Sequence, residues 1–169
     1  MGGNRVERLN LHAADPHGIL NGASIHPAIR ARTQAVLSRA RSEGLDLRVV
    51  SGFRSVEEQD RLYAQGRTAP GNIVTNARGG SSWHNYGLAI DIAFNDANGQ
   101  PVWPENANWA RYGQIAVAEG LTWGGNFRNF VDRPHIEYHP GLGPGDASTL
   151  LALYRQGGLT RVWNHLGYD

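Results

Sequence analysis

The stretch Ser82-Trp83-His84-Asn85-Tyr86-Gly87-Leu88-Ala89-Ile90-Asp91-Ile92-Ala93-Phe94 ends a glycine-rich loop and opens the clearest strand of the chain. Leu88, Ile90, Ile92 and Phe94 alternate onto one face, and Ala89, Asp91 and Ala93 onto the other. A carboxylate set opposite an apolar face is either solvated or assigned a partner. Ala89 leaves room for such a partner near the backbone. His84 sits where the loop from Gly66 to Ser82 ends. An imidazole and a carboxylate are a normal pair of zinc ligands. Read alone, the segment is equally a surface loop beside an ordinary strand.

A second segment, Asp132-Arg133-Pro134-His135-Ile136-Glu137-Tyr138-His139, repeats the theme. On a strand starting at His135, alternation puts His135, Glu137 and His139 on one face. The plain alternative is a polar strand edge. Together the two segments supply what a catalytic zinc needs: three protein ligands, the fourth position left to water, and a free carboxylate to carry a proton. A third element, Ser51-Gly52-Phe53-Arg54-Ser55, lies where a strand ends and a capped helix begins. Held in that turn, Arg54 can stabilise an oxyanion or grip a carboxylate; otherwise it is a solvated side chain at a helix start.

Around these segments the chain reads as one α+β domain over residues 1–169, with a small, mostly antiparallel sheet flanked by helices. Residues 10–26 form an irregular lead-in. A helix starts at Pro27, buries Ile29, Val36, Leu37 and Ala40, and stops at Gly44. Leu45 to Val50 is a short strand, and Ser55 with Glu58 caps a helix that ends near Gly66. The loop to Ser82 has the length of a functional one. A helix over residues 106–119 turns Trp109, Ile115 and Ala116 inward, and short strands follow at 121–123 and 135–138. A helical hairpin from Asp146 to Leu166, bent at Gly157-Gly158, closes the chain.

Composition removes other chemistries. The chain of 169 residues has no cysteine and no lysine, its sixteen basic residues all being arginine. Thiol nucleophiles, thiolate metal sites, disulfides, Schiff bases and P-loop lysines are therefore excluded. A net charge of +1 argues against nucleic acid as partner. No run approaches the ~18 apolar residues of a membrane span. The first eight residues lack the apolar run of a secretory signal, so synthesis without export by that route is expected. The five tryptophans are scattered, which suits core packing or cleft walls better than a sugar-stacking platform.

The order Ser-Gly-Phe-Arg-Ser, then Ser-x-His-x-x-Gly-x-Ala-x-Asp, then Asp-x-x-His resembles the zinc peptidases of bacterial cell walls. These include VanY-like D-Ala-D-Ala carboxypeptidases, D-Ala-D-Ala dipeptidases and L-alanyl-D-glutamate endopeptidases. The likeness covers about residues 45–138; residues 140–169 match no motif of the family. The segment from Glu58 through Ala77 is similar to the L-alanyl-D-glutamate branch, which contains phage endolysins. The resemblance implies a fold shared with Hedgehog-type domains and one zinc ion on His84, Asp91 and His135. It further implies Asp132 as catalytic base, where the dipeptidase branch uses glutamate, and Arg54 as oxyanion stabiliser. Gln59 and Ser82 match positions near the substrate. Glu137 reads as an acid that orients a ligand, and His139 as an exposed histidine.

The activity so implied is hydrolysis of the L-Ala–D-Glu bond of the peptidoglycan stem by a monomeric enzyme. Acidic stem peptides would suit an arginine-rich cleft, although sequence alone does not place Arg67, Arg78 or Arg128 in it. The role is that of an endolysin made in the host cytoplasm and acting on the wall after release. The rivals are D-Ala-D-Ala carboxypeptidase activity and a zinc-stabilised binding module without turnover.

Overall fold

Pro27 enters the first long helix at its first turn, after His26, whose Nδ1 accepts from the Ala28 amide. This computed structural model describes residues 13–168; the first eight residues and the start of the lead-in lie outside the described residues. The helix, α1 (Pro27–Ser42), buries Ile29, Val36, Leu37 and Ala40, and Gly44 follows it at φ 81°. The chain continues through β1 (Leu47–Ser51), α2 (Val56–Ala64), β2 (Ala89–Asn95), β3 (Pro101–Val102), α3 (Trp109–Ala118), β4 (Thr122–Trp123), β5 (His135–Glu137) and α4 (Ala147–Leu166). Ser55 Oγ caps α2 by accepting from the Glu58 amide. In α4, Gly157 and Gly158 leave the helical conformation, and the helix breaks there as its sequence predicts. No described helix is long and apolar enough to cross a membrane.

The sheet runs in the order β1-β2-β5-β4, all antiparallel, with β3 paired to the far end of β2. One face of β2, carrying Ile90, Ile92 and Phe94, packs with Ile29, Val36 and Leu37 of α1 and with Trp109, Tyr112 and Ile115 of α3. Leu88 departs from the expected pattern. It lies one residue before β2, after Gly87 in the left-handed conformation (φ 68°), and joins a second cluster with Tyr86, Leu150 and Val162. That cluster gives the C-terminal segment a place: α4 packs against the short 3-10 turn Trp83–Tyr86, and Trp163 Nε1 donates to the Tyr86 carbonyl.

The other face of β2 is the one that carries Asp91. There Ala89 stands opposite Glu137, and Asp91 stands opposite His135 on one side and Ser51 on the other. Direct cross-strand partners project from the same face with Cβ atoms about 5 Å apart. Register alone thus brings Asp91, His135 and the end of β1 together.

Candidate active site

Two ring nitrogens converge on the Asp91 carboxylate. His84 Nε2 lies 3.3 Å from Oδ2 and His135 Nδ1 lies 3.2 Å from Oδ1. One ligand atom from each of the three residues falls within 4.8 Å of the others. What the opposite ring nitrogens touch decides how each imidazole is presented. His84 Nδ1 meets the Gly52 carbonyl at 2.7 Å, and His135 Nε2 meets Glu137 Oε2 at 2.6 Å. A carbonyl and a carboxylate only accept, so both nitrogens donate, and it is His84 Nε2 and His135 Nδ1, facing the centre, that would offer lone pairs to a metal once deprotonated. Two oriented, buried imidazoles and a half-buried carboxylate form a donor set that fits zinc. Glu137 therefore orients a ring of the cluster, as its place on the strand suggests.

Local structure explains each placement. Ser82 caps the Trp83–Tyr86 turn: its Oγ accepts from the His84 amide, and Asn85 answers through its own side chain. Asn85 is fully buried and donates onward to the carbonyls of Arg54 and Ser55, tying the histidine turn to the arginine turn. The approach to His135 is held at four points. Gly124 O accepts from Asp132 N, Tyr112 Oη donates to Pro134 O, Trp123 Nε1 donates to Arg133 O, and Ile92 N donates to Pro134 O. A Cβ on Gly124 would collide with the Asp132 carbonyl, so the Gly-Gly turn is required by close approach.

Asp132 lies outside the three-atom cluster but lines the same cleft, a cavity of about 650 Å³. Burial raises its carboxyl above the ordinary value, and the Asp91 charge adds to the rise while His135 opposes it. Arg54 also reaches the cleft. Its Nη2 is 3.8 Å from Asp91 Oδ2, and its Nη1 donates to Gln59 Oε1 at 3.0 Å.

The structure departs from three sequence expectations. Gln59, expected near the substrate, is fully buried beneath the cleft. Its amide is occupied in both senses: the oxygen accepts from Arg54, and Nε2 donates to Ala77 O and Thr75 Oγ1 of the long loop. Gln59 thus positions Arg54 and the loop together. The cleft is not arginine-rich either, since Arg54 is its only arginine among the described residues. Arg67 instead lies over the Tyr63 ring and donates to Tyr63 O and Thr75 O, pinning the loop. His139, expected exposed, is half-buried. It stacks flat on Trp83 at 4.2 Å and binds Glu137 Oε1 at 2.7 Å. The tertiary partners Asn85, Tyr112 and Trp83 escaped the sequence reading, although Ser82 with Asn85 three residues on is itself a capping signature.

The charged chain His135–Glu137–His139 predicts how stability responds to pH without metal. Burial opposes the charge on His135, yet its bonds to Asp91 and Glu137 raise it to about 10. Burial opposes the charge on Glu137 too, but the two histidines lower it to about 2. A raised imidazole stabilises the fold fully below its unfolded value of 6.5, and that gain is lost as pH climbs toward 10. A lowered carboxyl contributes above 4.5 and loses its contribution as pH falls toward 2. The metal-free protein should therefore have its highest Tm between about pH 4.5 and 6.5, declining on the alkaline side. A divalent metal should flatten that decline, because ligation replaces the proton on His135. Calorimetry across pH, with and without metal, checks both statements; an alkaline limb that is already flat without metal would refute them.

Comparison with known proteins agrees with this arrangement. A family described as D-alanyl-D-alanine carboxypeptidase matches residues 75–138, which hold His84, Asp91, Asp132 and His135. A protein of Bacillus subtilis, the peptidoglycan L-alanyl-D-glutamate endopeptidase CwlK, is 42% identical over 126 residues, covering 70% of this chain and 75% of its own. Among solved structures, the LdcB LD-carboxypeptidase superposes with a TM-score of 0.55 at 21% identity, over 83% of this chain and 68% of that one. The vancomycin-resistance D,D-pentapeptidase VanY, a mutant in complex with Zn(II), gives 0.52 at 20% identity over 82% and 83%. These two likenesses extend the shared fold across most of the chain. By its kinship with the Bacillus subtilis enzyme and by the matched segment, the chain belongs to the D-alanyl-D-alanine carboxypeptidase family of metallopeptidases.

Proposed function

We propose that the protein is a zinc-dependent endopeptidase that hydrolyses the L-Ala–D-Glu bond of the peptidoglycan stem, with one catalytic ion. The observation that carries the bond choice is the 42% identity to an enzyme named for that activity. The donor set supports the metal: His84 Nε2, His135 Nδ1 and an Asp91 oxygen would hold it. When bound, zinc supplies a Lewis acid that polarises the scissile carbonyl and acidifies water.

The chain's own groups do the rest. Asp132 accepts the proton of the attacking water and returns it to the leaving amine, and a carboxyl raised by burial suits both transfers. Arg54, braced by Gln59 on one side and β1 on the other, donates to the carbonyl oxygen as charge develops there. Ser82 acts through its cap on the His84 turn and borders the cleft. The active unit in this reading is a monomer. The setting is the cell wall; the further assignment to a phage endolysin rests on the sequence resemblance alone.

D-Ala-D-Ala carboxypeptidase activity is the second reading, favoured by the description of the matching family. A binding module without turnover is disfavoured by Asp132 and Arg54 lining the same cleft as the ligand cluster. Mass spectrometry of products from defined muropeptides tests all three. The expected result is muramyl-L-Ala plus a peptide beginning with D-Glu, lost on chelation and restored by zinc. Free D-Ala as the dominant product would install the second reading, and no product under any metal condition would install the third.

A further inference from the structure

Seven large apolar side chains stand exposed among the described residues, and three of them border the cleft. Val74, Trp103 and Phe130 line it, and Ile73 and Val131 adjoin them in sequence. Four tryptophans are packed: Trp109 in the main core, Trp123 beside it, Trp163 of the C-terminal helix against the Tyr86 cluster and Trp83 on His139. Trp103 alone is 53% exposed. An apolar surface concentrated in this way marks a binding site more often than chance exposure.

Its position follows from the register. Phe94 pairs with Leu47 on one edge of β2, so Val102 takes the other edge, the same one that β5 occupies at Asp91. Trp103 therefore leaves β3 on the β5 side and joins Phe127 and Phe130 in an aromatic wall. The opposite wall, from the β1 side and the long loop, carries Arg54, Gln65, Thr75 and Asn76. The ligand cluster forms the floor between them. One wall is aromatic with a single carboxylate, Asp132, beside it; the other mixes Val50, Leu62 and Val74 with polar side chains and holds the cleft's arginine.

We propose that the aromatic wall is a sugar subsite that receives the N-acetylmuramyl ring to which the stem peptide is joined. This rests on the proposed cleavage at L-Ala–D-Glu. In that substrate every carboxylate lies on the D-Glu side of the scissile bond, and the sugar lies on the other, beyond L-Ala and the lactyl group. Charge complementarity sends the acidic half toward the wall with Arg54 and away from Asp132. The C–H face of a pyranose ring suits Trp103 and Phe130, which present flat apolar surface. The reach agrees. Trp103 is one residue nearer to Asp91 than Val102, whose partner Phe94 is three residues from Asp91, giving about 7 Å along the strand. An alanine and a lactyl unit also span about 7 Å.

The test compares kcat/KM on a muramyl tripeptide and on the same tripeptide without its sugar, with products read by mass. The wild-type protein should prefer the muramyl substrate about fivefold to tenfold, mainly through KM. In Trp103→Ala that ratio should fall close to one, and Trp103→Phe should recover part of it. Equal rates on both substrates in the wild type would overturn the sugar subsite. So would an equal loss on both in Trp103→Ala, which would make the wall a peptide site. Cleavage at another bond, visible in the product masses, would instead overturn the functional reading, and the subsite with it.

Discussion

His84→Ala and His135→Ala should each remove most of the bound zinc and leave no measurable hydrolysis. Each substitution takes one of three donors from a cluster whose ligand atoms lie within 4.8 Å of one another. The neighbouring His139 offers no easy replacement. Its Nε2 is bonded to Glu137 and its Nδ1 to the Leu142 carbonyl, and its ring is stacked on Trp83. Releasing a nitrogen would break that packing. Removing His135 also strips Glu137 and Asp91 of a shared partner, so the variant should be less stable as well as inactive. Zinc content by mass spectrometry and turnover on a muropeptide measure both effects. Full zinc and full activity in His135→Ala would move the site to His139.

Asp132→Asn should behave differently: zinc retained, kcat reduced by about 10²–10⁴-fold. The amide keeps the shape of the carboxyl and the backbone bonds that hold the turn, Asp132 N to Gly124 O and His135 N to Asp132 O. It cannot accept the proton of the attacking water. Asp91→Asn, by contrast, exchanges a charged donor for a weak neutral one and leaves two imidazoles without their carboxylate, so occupancy should fall first. Parallel zinc and kcat measurements separate the two roles. Near wild-type turnover in Asp132→Asn would place the base elsewhere, with Glu137 the first candidate.

The parts of the fold that were legible in sequence are those encoded over short distances. The apolar spacing of α1, the cap at Ser55, the alternation of β2 through Phe94 and the stop at Gly157-Gly158 each depend on neighbours within a few residues. The convergence of His84, Asp91 and His135 was legible by resemblance and by alternation along the two segments that carry them. What sequence did not reveal depends on register and on distant partners. Two-residue β3 carries too little periodicity to be seen, yet it determines where Trp103 stands. Gln59 lies on a helix whose sequence gives no sign that its amide is enclosed by Arg54 and a loop more than a dozen residues away. His139 looked exposed because the ring that covers it, Trp83, comes from a distant part of the chain; its other partner, Glu137, is two residues away on the same face. On the Asp91 face of β2, Ala89 and Ala93 are fully buried under cross-strand neighbours, which alternation along β2 alone does not show.

Anomalous scattering at the zinc edge, from crystals of the metal-loaded protein, tests the central claim most directly. The account predicts one strong peak in contact with His84 Nε2, an Asp91 carboxylate oxygen and His135 Nδ1, with the Gly52 carbonyl and Glu137 still on the opposite ring nitrogens. A peak held instead by Glu137 and His139, or none at the three residues in fully active crystals, would contradict it.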